Sequence, residues 1–159
     1  MVLIKQVDTP GENLSAAIQL FKAYRAALGV DLNFQNFDEE IDHPLQKYGP
    51  PQGALFIAFL RGEPIGCIAL QQLPNENKSR VCEMKRLYVK PENRKDKAGY
   101  LLVEKLIEKA IQLGYNIMKL DTLEHLQPAI KLYEKFGFTI TTSYYNNPLP
   151  GVVYMEKQL

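Results

Sequence analysis

Two short apolar runs in the middle of the chain, Ala54–Leu60 and Ile65–Leu73, and a third strand-like run, Arg80–Val89, constrain the fold more than any other feature. Arg61-Gly62-Glu63-Pro64 separates the first two, and Pro74-Asn75-Glu76-Asn77-Lys78 the last two. Clusters of Gly, Pro and Asn break strands and reverse the chain. The runs therefore predict an antiparallel meander of hairpin-linked strands. Pro91 closes the third strand, and the apolar period then changes. Leu102, Val103, Leu106, Ile107 and Ala110 share one broad helical face, which predicts a helix over Gly99–Leu113 with Gly114 as its cap.

The flanks complete the pattern. Val2–Val7 reads as a strand. Leu14, Ala17, Ile18, Phe21 and Leu28 predict a helix over Asn13–Leu28, stopped by Gly29. A short second helix is expected over Asp38-Glu39-Glu40-Ile41-Asp42, and Tyr48-Gly49-Pro50-Pro51 reads as a loop. Asn116–Asp121 reads as a strand, Pro128–Phe136 as a helix, and Phe138–Tyr145 and Val152–Lys157 as two last strands. The predicted order is β-α-α-β-β-β-α-β-α-β-β, an α/β fold with a mixed, mostly antiparallel central sheet flanked by helices. No repeat or linker interrupts it, so residues 1–159 are expected to form a single domain.

Composition narrows the function classes. Hydrophobic residues make up 46% and charged residues 23%, which excludes a disordered chain. The net charge of +1 gives no global field favouring nucleic acid or an anionic membrane. Cys67, Cys82, His43 and His125 follow no metal-ligand spacing, so no metal is expected. The first residues carry no signal-peptide pattern and no run is long enough for a membrane span. The expectation is a cytoplasmic protein with reduced thiols.

The stretch from Leu87 to Tyr100 carries the chemistry. A strand stops at a proline, and a loop holding Lys90, Arg94, Lys95 and Lys97 against Glu92 and Asp96 opens directly into the amphipathic helix. A helix N-terminus offers free N–H donors and the positive end of a dipole, a geometry that binds phosphate. Gly99 would let a ligand approach the backbone. A solvated surface loop is the alternative reading.

Four segments together carry a family resemblance. Arg94-Lys95-Asp96-Lys97-Ala98-Gly99 aligns with Q/R-x-x-G-x-G/A, and Ala129–Phe138 matches A-x-x-L-Y-x-x-x-G-F. Glu83–Val89 fits E-[ML]-K-R-[LM]-Y-V, and Tyr144–Gly151 fits Y-Y-x-N-P-x-x-G. The chain resembles the GNAT superfamily, the general-control-type N-acetyltransferases, and within it a small bacterial single-domain branch. It departs from the family at three positions. Lys97 replaces the first required glycine, Lys95 stands where many members have another, and Leu126 stands where many have Asn. A left-handed backbone at residue 97 would strain a lysine.

The resemblance implies acetyl transfer from acetyl-coenzyme A to the primary amine of a small or amino-acid-like acceptor, without a metal. It implies that Arg94, Lys95, Lys97, Ala98, Gly99 and Tyr100 take the pyrophosphate. Leu87, Tyr88 and Val89 would pair with the pantetheine arm as with an added strand, and backbone N–H groups near Leu87 and Tyr88 would stabilise the oxyanion. Leu126 and Ala129 would line the cofactor arm, with one polar contact missing at Leu126. Glu83 aligns with the base of histone-type members, and in an unbulged strand it shares a face with Leu87. A structural ion pair with Lys85 or Arg86 is its other reading. Tyr133 is the family's acid for the departing thiolate, or else a core tyrosine on the face of Ala129, Leu132 and Phe136.

Phe34, Phe37, Tyr145 and Asn146, with Asn147, would line the acceptor side. The acidic run from Asp38 to Asp42 would receive a cationic amine or form a solvated helix face. Asp121 and His125 read as structural. A non-catalytic acyl-coenzyme A sensor or interaction module on the same fold is the rival function. No nucleic-acid or membrane partner is expected, and a homodimer is left open.

Overall fold

A computed structural model describes residues 1–159. Seven strands form one sheet in the order β1-β2-β3-β4-β5-β7-β6. They are β1 (Val2–Gln6), β2 (Ala54–Leu60), β3 (Glu63–Glu76), β4 (Ser79–Val89), β5 (Ile117–Leu123), β6 (Thr139–Ile140) and β7 (Val152–Gln158). Every neighbouring pair is antiparallel except β4–β5. The helices are α1 (Glu12–Leu28), α2 (Phe37–Asp42), α3 (Pro44–Tyr48), α4 (Ala98–Gln112) and α5 (Gln127–Lys135). The mixed, mostly antiparallel sheet flanked by helices is the fold class expected.

The sheet separates two cores. On one face Leu102, Val103, Leu106 and Ala110 of α4 and Ile130 and Tyr133 of α5 pack on Phe56, Ile68, Leu70, Met84 and Met118. On the other, Ala17, Leu20 and Phe21 of α1 pack with Phe37 and Tyr48 on Leu55, Ile57, Cys67 and Ala69. Central strands covered on both faces read as continuous apolar runs. This is why Ala54–Leu60 shows no polar alternation.

Three differences from the sequence reading matter. Tyr48, read as the start of a loop, instead ends a helix that the sequence reading did not name, α3 (Pro44–Tyr48), with Pro44 in its first turn. Lys90–Lys97 is not an open loop, because Pro91–Asp96 winds as a 3-10 segment. The strand expected over Phe138–Tyr145 is only Thr139–Ile140. Beyond it, the tyrosines leave the sheet to bond across the molecule, as described below.

Two irregularities of β4 shape the site. Ala69 pairs with Lys85 but Cys67 with Tyr88, so Arg86 and Leu87 together oppose Ile68. This is a β-bulge, and Arg86 takes the left-handed conformation at φ 61°. The Cys67 thiol donates to the bulge carbonyl of Arg86 at 3.2 Å. The bulge breaks the alternation of side chains. Leu87 joins the core under α4 while Tyr88 packs against the α1 core. The expectation that Glu83 shares a face with Leu87 is therefore corrected: Cys82, Met84 and Leu87 face α4, and Glu83 faces the other way.

The second irregularity is a split. β4 pairs with β5 only through Val81–Glu83 against Ile117–Lys119. Past Glu83 the strands diverge, and Leu120–Leu123 pair only with β7. Two strand edges with free backbone groups thus face each other.

Candidate active site

A cavity of about 80 Å³ occupies the split. Met84, Lys85, Arg86 and Leu87 of β4 and Leu120–Leu123 of β5 form its sides, with Leu126 just before α5 and Ala129 and Tyr133 from α5. A larger cleft of about 500 Å³ lies on the α1 side, lined among others by Phe34, Gln35, Gln71, Glu83, Lys85, Tyr144 and Tyr145. Gln35 and Lys85 line both.

The wall between them is a polar network. Arg86, driven inward by the bulge, donates Nε and Nη2 to the Glu40 carboxylate at 2.8 and 2.9 Å and Nη1 to Gln35 at 2.7 Å. Gln35 donates to the Tyr145 hydroxyl at 2.8 Å, and that hydroxyl donates to Asp121. Asn147 donates to Asp121 at 2.7 Å. The chain thus ties α2, the β4 bulge, β5 and the β6–β7 loop together across the split. Burial pushes the pKa of Tyr145 up and the Asp121 charge adds to this, so the phenol stays a donor.

Glu83 is 2% exposed. Gln71 and Tyr144 each donate to one of its oxygens at 2.6 Å. Burial raises the Tyr144 pKa, and the neighbouring Glu83 charge raises it further, so Tyr144 donates rather than ionises. Lys85 lies 3.9 Å from Glu83, beyond hydrogen-bond range, and Arg86 pairs with Glu40 instead.

Tyr133 lines the cavity in the split. Its ring packs edge-on to Phe138 at 6.0 Å. Burial raises its pKa, so the phenol keeps its proton. Tyr133 is thus at once a core residue and part of the cavity lining.

The basic segment meets the N-terminus of α4 at the mouth of the split. Lys97 caps the helix in the left-handed conformation, at φ 60°. Lys97→Gly is expected to raise the unfolding free energy by about 0.5–1 kcal/mol, the strain relieved less the entropy glycine adds to the unfolded chain. Thermal unfolding reads this as a higher Tm.

A Cβ at Gly99 would meet Leu132 at 3.5 Å and Val89 at 3.8 Å, ordinary contacts that leave its outer side free. Ala98 is fully buried and offers only backbone, while Tyr100 is exposed and stacks on Phe136 at 4.7 Å. Arg94 donates Nε to the Val89 carbonyl at 3.1 Å, and Lys95 is exposed. Of Leu87, Tyr88 and Val89, only the Leu87 side chain reaches the cavity. Leu126 lies in the cavity wall and makes no side-chain cap to α5. The free strand edges, the basic segment and the α4 N-terminus suit a long ligand with an amide-bearing arm and a diphosphate.

Two of the acceptor-side residues lie outside both hollows. Phe37 is fully buried, stacked under Arg86 at 5.0 Å, and reaches neither cavity. Asn146 is exposed and lines neither, whereas Asn147 points inward. Phe34 and Tyr145 do line the larger cleft. Two members of the acidic run have partners within the protein. Asp38 pairs with Arg25 at 2.8 Å, and Glu40 is taken by Arg86 and Lys47. Asp121, read as structural, stands at the edge of the split and anchors the network; only its place on β5 opposite the bulge would have signalled this. No group of three or more His, Cys, Asp or Glu is arranged to hold a metal.

Residues 17–138 match the Acetyltransferase (GNAT) family. An uncharacterized N-acetyltransferase of Schizosaccharomyces pombe is 43% identical over 159 residues, covering 99% of this chain and 95% of the relative. An acetyltransferase structure from Streptococcus agalactiae superposes with TM-score 0.80 at 21% identity, covering 99% of this chain and 98% of that one. A GNAT-family acetyltransferase from Elizabethkingia anophelis, solved with acetyl-CoA bound, superposes with TM-score 0.67 at 20% identity, covering 99% of this chain and 98% of that one.

Proposed function

The chain belongs to the Acetyltransferase (GNAT) family, is an N-acetyltransferase and uses acetyl-CoA as its acyl donor; from that premise we propose that residues 1–159 act as one catalytic domain on the primary amine of a small or amino-acid-like acceptor. One arrangement supports this reading. A buried carboxylate, Glu83, and a cavity-lining phenol, Tyr133, stand in two adjoining hollows that share Gln35 and Lys85. Bound acetyl-CoA supplies an activated acetyl thioester. The free edges of β4 and β5 hold its amide-bearing arm, and the segment from Arg94 to Gly99 with the α4 N-terminus takes its diphosphate. Glu83 removes a proton from the acceptor ammonium, directly or through water. Tyr133 offers its O–H to the departing sulfur. Two free, buried cysteines fit a reducing, cytoplasmic setting, and a homodimer is compatible with the exposed sheet edges.

Incubation with acetyl-CoA and a broad amine panel, with a thiol reagent as readout, tests the proposal. Thiol release matched by N-acetylated product is expected. Thermal stabilisation by the cofactor without thiol release on any acceptor would instead identify a sensor. Tyr133→Phe is expected to lower kcat by roughly 10- to 100-fold, the loss of one hydrogen bond to a charged group. Cofactor affinity by calorimetry stays nearly unchanged. Wild-type turnover in this variant would leave Tyr133 a packing role alone.

A further inference from the structure

We propose that the acceptor bears a carboxylate close to its amine, as an α-amino acid does, and that the Lys85 ammonium receives that carboxylate. The inference rests on the transferase reading and names the substrate class of the same site. The Lys85 side chain is 5% exposed and lines both hollows. Its nearest acidic oxygen is Glu83 Oε1 at 3.9 Å, and it makes no hydrogen bond within the protein. An ammonium carries three donors, and burying them without partners is unfavourable.

The neighbouring charges are already satisfied. Arg86 and Lys47 bond to Glu40, Lys119 bonds to Glu76, and the Glu83 oxygens accept from Gln71 and Tyr144. Lys85 is thus the cation of this cleft with its donors free. Burial lowers its pKa, with Arg86 adding to this against the charges of Glu83 and Asp121. A carboxylate docked beside it would favour the charged form.

The placement also matches the charges of an α-amino acid. Glu83 and Lys85 sit two residues apart on one face of β4. A ligand ammonium meets Glu83 while its carboxylate, one carbon away, meets Lys85. The rest of the cleft, about 500 Å³ with Phe34, Leu73 and Val81 in its lining, has room for the ligand's side chain. The N-terminus of a peptide lacks this second charge and leaves Lys85 unpaired.

The test compares common α-amino acids with their amides, their decarboxylated amines and short peptides, by kcat/KM with acetyl-CoA. The acids are expected to be favoured by about 10- to 100-fold over their amides. In Lys85→Gln that ratio falls to about one, and Lys85→Arg retains part of it. Amides, amines or peptides used as well as the acids, or a preference that survives Lys85→Gln, would overturn the proposal. If no amine is acetylated, the transferase reading fails separately. Calorimetry with N-acetyl amino acids and N-acetyl amino amides, in the presence of coenzyme A, then decides the anchor. Binding of the acid alone to the wild type supports Lys85, and equal or absent binding overturns it.

Discussion

Glu83→Gln lowers kcat for acetyl transfer by about 10²- to 10⁴-fold, the range of a lost general base. The amide has the shape of the carboxylate, and its oxygen still accepts from Gln71 or Tyr144, so the cleft persists while its proton acceptor is gone. The deficit shrinks as pH rises, because an amine that loses its proton to solvent no longer needs Glu83. Steady-state rates across a pH series, with circular dichroism confirming the fold, check this. A variant with wild-type kcat near neutral pH would leave Glu83 a structural anchor for Tyr144.

Glu40→Gln has the largest expected effect on stability. The Arg86 and Glu40 side chains are 2% and 1% exposed, joined by two hydrogen bonds. Removing one charge of a buried pair leaves the other uncompensated and costs about 3–5 kcal/mol. In a chain of this size that lowers Tm by on the order of 10 °C. Burial alone would raise the Glu40 pKa, but the Arg86 hydrogen bonds and the Arg86 and Lys47 charges outweigh it, so the folded value is lowered. The pair's contribution is therefore complete above the unfolded carboxyl pKa, near ~4.3. It is lost as pH falls through the folded value. Urea unfolding at a series of pH values should show the gap between wild type and variant constant down to that point and narrowing below it. An equal gap at all pH values would mean that the Glu40 charge is not what the fold relies on.

The central strands, α1, α4 and α5 were legible because each carries an uninterrupted apolar period or clean turn residues. The corner between β4 and α4, where the diphosphate is proposed to sit, was legible as a structure because a strand end, basic residues and a helix start follow one another in the chain. What stayed hidden depends on distant partners. Nothing near Arg86 signals a left-handed residue. Its bulge is held by a thiol 19 residues away and a carboxylate 46 residues away. Glu40 looks like its solvated neighbours until that partner is known. Tyr144 and Tyr145 have the composition of a strand, yet their hydroxyls reach Glu83 and Asp121 on two other strands. Phe37 was placed in a cleft because an aromatic beside an acidic run resembles a cation receptor. It does meet cations, Arg25 and Arg86, but they belong to the protein.

The sheet is joined at its centre by three residue pairs between β4 and β5. The gap proposed to hold the donor is therefore also the structural seam, with four strands on one side and three on the other. A donor lying along both lips, as proposed, would act as mortar, supplying the ladder that the polypeptide omits. Amide deuterium uptake along Leu120–Leu123 and Met84–Val89 should slow together when that mortar is laid, even though the two segments belong to opposite halves of the wall.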